Sequence, residues 1–241
     1  MEEIKILFEN KDLIVCVKPA GILSEESGEK ASLPLLLRRA AEARGERAPR
    51  FLTVHRLDRE VGGVMVLAKN PKTASILSEA IRERRAVKEY LAVVRGELPP
   101  RGEYEDLLFR DSKTMKTYVV DRVRAGVRQA KLSFTTLARG EENGKPISLA
   151  AVRLFTGRTH QIRVQFASRK TPLFGDGRYG SGDNGDRPAL FSRRLMIPGL
   201  FDCRAVPEDY PFTLFEGSVF ETADPIDGER GNGRNEIEKN A

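Results

Sequence analysis

The sequence predicts an α+β fold, with one large, mixed and mostly antiparallel sheet, a few flanking helices and a central cleft. Three observations lead there. Short β-type segments recur along most of the 241 residues, several are separated by tight-turn signals, and no linker or internal repeat splits the chain. Residues 1–223 therefore read as one domain, which the cleft divides at most into two subdomains. Residues 224–241 are rich in Gly, Asp, Glu and Asn with almost nothing apolar, the composition of a flexible C-terminal tail.

Each element has a local reason. Ile4, Ile6 and Phe8 alternate with polar residues, and Asp12–Lys18 is a short apolar run, so two adjacent strands turn at Asn10-Lys11. Pro19-Ala20-Gly21 ends the second. Leu33, Leu36, Leu37, Ala40 and Ala41 fall at helical spacing between a candidate cap, Ser32, and a stop, Gly45. Gly63–Ala68 is nearly all apolar and reads as a central strand. Pro71 then opens a helix through Arg85, with Val87–Val94 returning as strand. Lys131–Leu137 and Ile147–Phe155 read as antiparallel strands around the turn Glu142-Asn143-Gly144-Lys145-Pro146. Helical spacing resumes over Arg158–Ser168, a glycine-rich loop covers Gly175–Gly185, and Leu214–Phe220 reads as a last strand.

Composition narrows the function. Hydrophobic residues make up 40% and charged residues 32%, no apolar run approaches the roughly 18–20 residues of a membrane span, and the N-terminus is acidic rather than signal-like. A cytoplasmic protein is expected. Two cysteines, Cys16 and Cys203, and two histidines, His55 and His160, give no metal-ligand spacing, and Cys16 lies inside an apolar run as a small buried thiol. The formal charge is +6, and 28 of the 41 basic residues are arginine. Guanidinium groups bind phosphate bidentately and stack on bases, so the balance leans toward nucleic acid.

The segment HRLDREVGGVMVLAKN, His55–Asn70, concentrates the chemistry. Asp58 stands in a loop opening onto a buried strand, flanked by Arg56 and Arg59, two cations that favour a reactive anion there. Taken alone, an aspartate in that setting reads more often as a turn residue paired on the surface. Two further segments bring reactive groups to the edge of apolar elements: VKEYLAVVRGEL, with Tyr90, and GRTHQIRVQFA, in which Arg158, Thr159, His160, Gln161 and Arg163 are dense in donors.

Together these residues resemble the RluA-type pseudouridine synthases. HRLDREVGGVMVLAK is similar to that family's signature around its catalytic aspartate. VKPAGILS (Val17–Ser24), KEYLAVVRGEL (Lys88–Leu98), GRTHQIRVQFA (Gly157–Ala167) and GDGRYG (Gly175–Gly180) match further segments in order. The resemblance implies isomerisation of uridine to pseudouridine in ribosomal or transfer RNA by base flipping, without cofactor or metal. It implies Asp58 as catalytic aspartate, Tyr90 as active-site tyrosine, and Arg163, or else Arg158, as the arginine that pairs with Asp58. Arg56 resembles the residue that enters the RNA stack, and Arg158, His160 and Gln161 fall among the substrate-binding positions. No DNA partner is implied, and a monomer is expected, with no separate N-terminal RNA-binding module.

Two positions depart from the family pattern. Val61-Gly62 stand where Thr-Ser is usual, and Leu190-Phe191-Ser192 replaces a Leu-His-Ala element. They keep open an RNA-binding protein on the same fold that has lost turnover. A carboxylate-dependent hydrolase is a weaker rival, because no second acid stands beside Asp58 in the sequence. Without an added module, Arg38, Arg39, Arg82, Arg84, Arg85, Arg193 and Arg194 are the candidates for RNA backbone contacts.

Overall fold

The computed structural model describes residues 4–221 apart from 29, 48, 181, 183, 184 and 186. The expected C-terminal tail, 224–241, lies outside the described residues. Eleven strands form one sheet: β1 (Ile6–Glu9), β2 (Leu13–Lys18), β3 (Leu52–Thr53), β4 (Gly62–Ala68), β5 (Val87–Arg95), β6 (Arg101–Asp111), β7 (Lys116–Val120), β8 (Val127–Glu142), β9 (Lys145–Leu154), β10 (Leu190–Ile197) and β11 (Phe201–Arg204). The order is β1-β2-β4-β10-β5-β9-β8-β6-β7, with β3 on β4 and β11 on β10. All pairings are antiparallel except the short β4–β10 contact, Gly62 with Phe191 and Gly63 with Ser192. That contact sets the start of β4, and the loop before it, beside the strand next to Tyr90.

The central strands bury both faces. Every residue of β4 is buried, and alternation along β2 sends Ile14 and Cys16 to one face and Leu13 and Val15 to the other. Helix α1 (Leu33–Ala43) covers the first face through Leu33, Leu37 and Ala41, and α3 (Gln161–Ala167) covers it through Ile162 and Phe166. Phe166 meets Tyr104 and Phe134 with ring centroids 5.2 and 5.3 Å apart, which seats α3 on the sheet. Helix α2 (Pro71–Arg82) covers the second face through Leu77 and Ala80; its Asn70 side chain accepts from the Thr73 amide as an N-cap.

Four sequence expectations change. Leu214–Phe220 is not a strand: Phe212–Leu214 form a single 3₁₀ turn and Ser218–Glu221 a short helix, α4, packing Phe212 and Phe220 on the second face. An isolated apolar run cannot distinguish these outcomes by periodicity. The closing strands are instead β10 and β11. The third helix begins at Gln161 rather than Arg158, after a turn in which His160 takes the left-handed conformation with φ 53°. The second ends at Arg82, not Arg85. Strand β6 went unread because its charged residues alternate along a sheet with little apolar signal.

Gly63 is indispensable to this packing. Its φ is 121°, and a Cβ there would lie 2.3 Å from the Ser192 carbonyl oxygen and 2.5 Å from its nitrogen. Gly63→Ala is therefore expected to destabilise the fold by at least about 3 kcal/mol, since the obstruction is backbone in a central strand; denaturant unfolding against wild type measures it. The departures noted in the sequence also meet here. A Cβ on Gly62 would lie 3.2 Å from the Lys18 carbonyl and 3.7 Å from the Phe191 ring, so the larger residue at 191 packs against the smaller at 62. No described helix is long and apolar enough to cross a membrane.

Candidate active site

The loop before β4 is tied down from the segment following β2. Ser24 clamps it at Leu57, its hydroxyl donating to the carbonyl at 2.8 Å and accepting from the amide at 3.0 Å. The fully buried Lys18 ammonium donates to the carbonyls of Pro19, Ile22 and Arg59 at 2.8, 3.0 and 3.1 Å. Burial pushes its pKa down to about 8, against the pull of Glu60 and Asp58. The Val61 amide donates to the Asp58 carbonyl at 3.0 Å and closes the turn. VKPAGILS thus serves to hold Asp58.

Asp58 faces Arg163 from α3, whose Nη1 donates to its Oδ2 at 3.1 Å. The two other sites of the same guanidinium, Nε and Nη2, donate to both oxygens of Asp176 at 2.7 and 2.8 Å. Burial alone would lower the Arg163 pKa, but its bonds to Asp176 and the charges of Asp176 and Asp58 outweigh it and keep the group a cation. Arg163 is therefore clamped by one buried carboxylate and presents its remaining edge to another. The sequence alternatives separate here: Arg158 turns away, its Nε donating to the Gln129 carbonyl at 2.9 Å. Arg56 and Arg59 do not face Asp58 either. Arg56 pairs with Glu25 at 3.0 Å in solvent, and Arg59 donates to the Gly21 carbonyl at 2.9 Å.

His160 brings a second chain of contacts. The Thr117 amide donates to the Tyr179 hydroxyl at 2.9 Å, and that hydroxyl lies 2.8 Å from His160 Nδ1. On the far side of the ring, Nε2 lies 3.7 Å from Asp58 Oδ2. Burial lowers the His160 pKa despite the Asp58 charge, so the ring is neutral at pH 7. Gln161 is committed to the protein. Its amide oxygen accepts from Thr156 and the Arg158 amide at 2.8 and 3.0 Å, and its nitrogen donates to the Lys131 carbonyl at 3.1 Å. These bonds shape the turn carrying Arg158, and Gln161 remains in the cavity wall with one amide N–H beyond its bond to Lys131.

These groups surround a cavity of about 300 Å³ lined by Asp58, Tyr90, Leu154, His160, Arg163 and Leu190 among others, a size suited to one nucleoside. Tyr90 is 8% exposed. Burial and then the Asp58 charge push its pKa well above the usual tyrosine range, with the neighbouring Ser192 hydroxyl opposing them. The phenol therefore stays protonated and offers a flat face and a donor. Among the described residues no cluster of His, Cys, Asp and Glu could hold a metal. Of the arginines proposed for RNA, Arg193 and Arg194 are buried, and Arg194 is bound to Glu89 and Asp202 at 3.0 and 2.7 Å. Charge patterning does not reveal burial, hence the error. Asp176, Tyr179 and Lys88 carry no such signal: only folding brings Asp176 to Arg163, Tyr179 to His160 and Lys88 to the cavity wall.

His55, also at the cavity, carries a pH prediction. Its Nε2 accepts from the Val66 amide of β4 at 3.1 Å, a role open only to the neutral ring. Enclosure by the protein, then the Lys88 charge, drive its pKa down to about 3, although the residue keeps some exposed surface. The unfolded chain takes up this proton near pH 6.5 and the folded chain only near 3, so stability is intact above 6.5 and falls as pH drops between them. The loss is expected to reach about 2 kcal/mol at pH 5. Denaturant unfolding at pH 7 and pH 5 should show it, with the difference reduced in His55→Gln.

The chain is similar to known proteins along most of its length. The family model described as RNA pseudouridylate synthase matches residues 12–168. The chain is 33% identical over 180 residues to ribosomal large subunit pseudouridine synthase D of Xanthomonas campestris, spanning 73% of this chain and 52% of that protein. It is 32% identical over 188 residues to tRNA pseudouridine synthase C of Haemophilus ducreyi, spanning 74% of each. The solved structure of human RNA pseudouridylate synthase domain containing 1 superposes with a TM-score of 0.70 at 25% identity, covering 86% of this chain and 84% of that one.

Proposed function

The chain belongs to the RNA pseudouridylate synthase family, and on that premise we propose that it converts a uridine of structured ribosomal or transfer RNA to pseudouridine through Asp58. The observation that carries the reading is the Asp58 carboxylate held by a clamped arginine at a nucleoside-sized cavity with Tyr90 in its wall.

The reaction breaks the N1–C1′ bond, turns the uracil and joins C5 to C1′, with loss of the C5 proton balanced by uptake of one at N1. It is redox-neutral and calls for no cofactor. A target inside folded RNA must first leave its stack, at a cost of a few kcal/mol. Arg56 is the group for that step: it is exposed, and its solvent pair with Glu25 is worth at most about 1 kcal/mol, so it is readily released. In the cavity the Asp58 carboxylate meets the ribose, where attack at C1′ and removal of the C2′ proton are both open to it. Arg163 holds its orientation, and the protonated Tyr90 stacks on the free uracil and donates to it. The protein acts as a monomer in the cytoplasm, on RNA rather than DNA.

The test is a transcriptome-wide pseudouridine map in cells with and without the gene, with wild type or Asp58→Asn restored. A site that disappears with the gene and returns only with wild type supports the reading and identifies the RNA. If no site changes and the purified protein binds RNA without forming pseudouridine, the binding-protein alternative takes its place.

A further inference from the structure

Beside the Asp58 cavity runs a second depression of about 290 Å³ between the end of α2 and the turn before α3. Ile81, Lys88, Leu154, Gly157 and Arg158 line both, so the two are continuous. The charged residues lining the second are Arg82, Arg84, Lys88 and Arg158, with no acid among them. The negative end of the α2 dipole accounts for Arg82 at the helix terminus. It does not account for Lys88 on β5 or Arg158 on a separate turn.

Lys88 is the group that demands a ligand. It is partly buried, and among the described residues its ammonium has neither a hydrogen-bond nor an ion-pair partner; the buried Lys18 of the same sheet has three. Burial of its stem lowers the pKa of an ammonium that has no anion beside it. The ammonium is also left uncrowded: a Cβ on Gly157 would sit 3.8 Å from it. Arg84 takes the left-handed conformation, φ 60°, two residues past the end of α2, a position that ordinarily favours glycine. Its guanidinium, too, has no partner among the described residues. Arg158 uses Nε internally and keeps its two Nη groups.

We propose that Lys88, with Arg84 and Arg158, forms a phosphate subsite that binds the RNA backbone immediately beside the flipped uridine. The proposal rests on the reading of the cavity as the uridine site. The subsite opens directly onto that cavity, within reach of the phosphate of the extruded nucleotide or its neighbour. It takes the backbone and not the base, so it contributes affinity and register without choosing sequence.

The experiment uses total RNA labelled with [5-³H]uridine from cells lacking the gene, with tritium release as the assay and filter binding on the same RNA. Wild type, Lys88→Met, Lys88→Arg and Arg84→Ala are compared over a salt series. Lys88→Met is expected to raise KM and the dissociation constant about tenfold with kcat within about twofold, and to reduce the salt slope of binding by about one. Lys88→Arg should recover most of that affinity, which a packing role would not allow, and Arg84→Ala, on an exposed side chain, should shift both in the same direction by less. Unchanged affinity and salt slope in Lys88→Met, or a loss confined to kcat, would overturn the subsite. If wild type releases no tritium, the proposed reaction fails while filter binding still decides the subsite. If wild type does not bind the RNA, both fall.

Discussion

Asp58→Asn is expected to lower the rate of pseudouridine formation by at least about 10³-fold while leaving RNA affinity within a few fold and the unfolding midpoint within a few degrees. The substitution keeps the shape of the side chain and removes the charge and nucleophilicity that attack at C1′ or proton removal at C2′ requires. The fold has little stake in the charge. Asp58 is partly exposed, and its partner Arg163 stays bound to Asp176 through two bonds when the third is weakened. The loop itself is fixed by Ser24 at Leu57 and by Lys18 at Arg59, contacts the substitution does not touch. Single-turnover tritium release with excess enzyme reads the chemical step directly. Retention of more than a tenth of the wild-type rate would show that the carboxylate of Asp58 is not the reacting group.

Much of the framework was legible because it depends on local pattern. The apolar run of β4, the proline-opened α2 and the alternation of β2 each state their own environment. The pairing of Arg163 with Asp58, 105 residues apart in sequence, was reachable only through resemblance, with Arg158 as the alternative. What separates them is position relative to the helix: Arg163 lies on α3 between Asp176 and Asp58, whereas Arg158 precedes it in a turn held by Gln161. The flanking arginines misled for the opposite reason. Adjacency in a loop says nothing about direction, and Arg56 and Arg59 point to Glu25 and Gly21. Strands β10 and β11 were missed because Ser-Arg-Arg in β10 looks like surface, when in fact Arg194 is neutralised by Glu89 and Asp202. The departures at Gly62 and Phe191 are far apart in sequence and are register partners across the β4–β10 contact.

The least legible residue carries the second large prediction. Asp176 is 1% exposed and reaches the site through Arg163, with a longer bond from the Tyr179 amide at 3.3 Å. Asp176→Asn preserves volume but replaces two acceptor oxygens by one, and sets an amide N–H₂ against a guanidinium that can only donate. It also leaves a buried cation, 7% exposed at its side chain, with Asp58 as its one remaining carboxylate. Breaking such a pair costs about 3 kcal/mol or more, which for a domain of this size lowers the unfolding midpoint by roughly 6–12 °C. Released from the clamp, Arg163 is drawn toward Asp58 and the carboxylate leaves its working orientation. Displacement of order 1 Å at a reacting group costs about 10²-fold. Hence kcat, assayed where the variant is fully folded, is expected to fall about 10²-fold with KM for RNA little changed, because no substrate contact is lost. A lower midpoint with unaltered kcat would mean that Asp176 supports the fold and leaves the aim of Arg163 to other contacts. A fall in both identifies it as the positioning residue of the site.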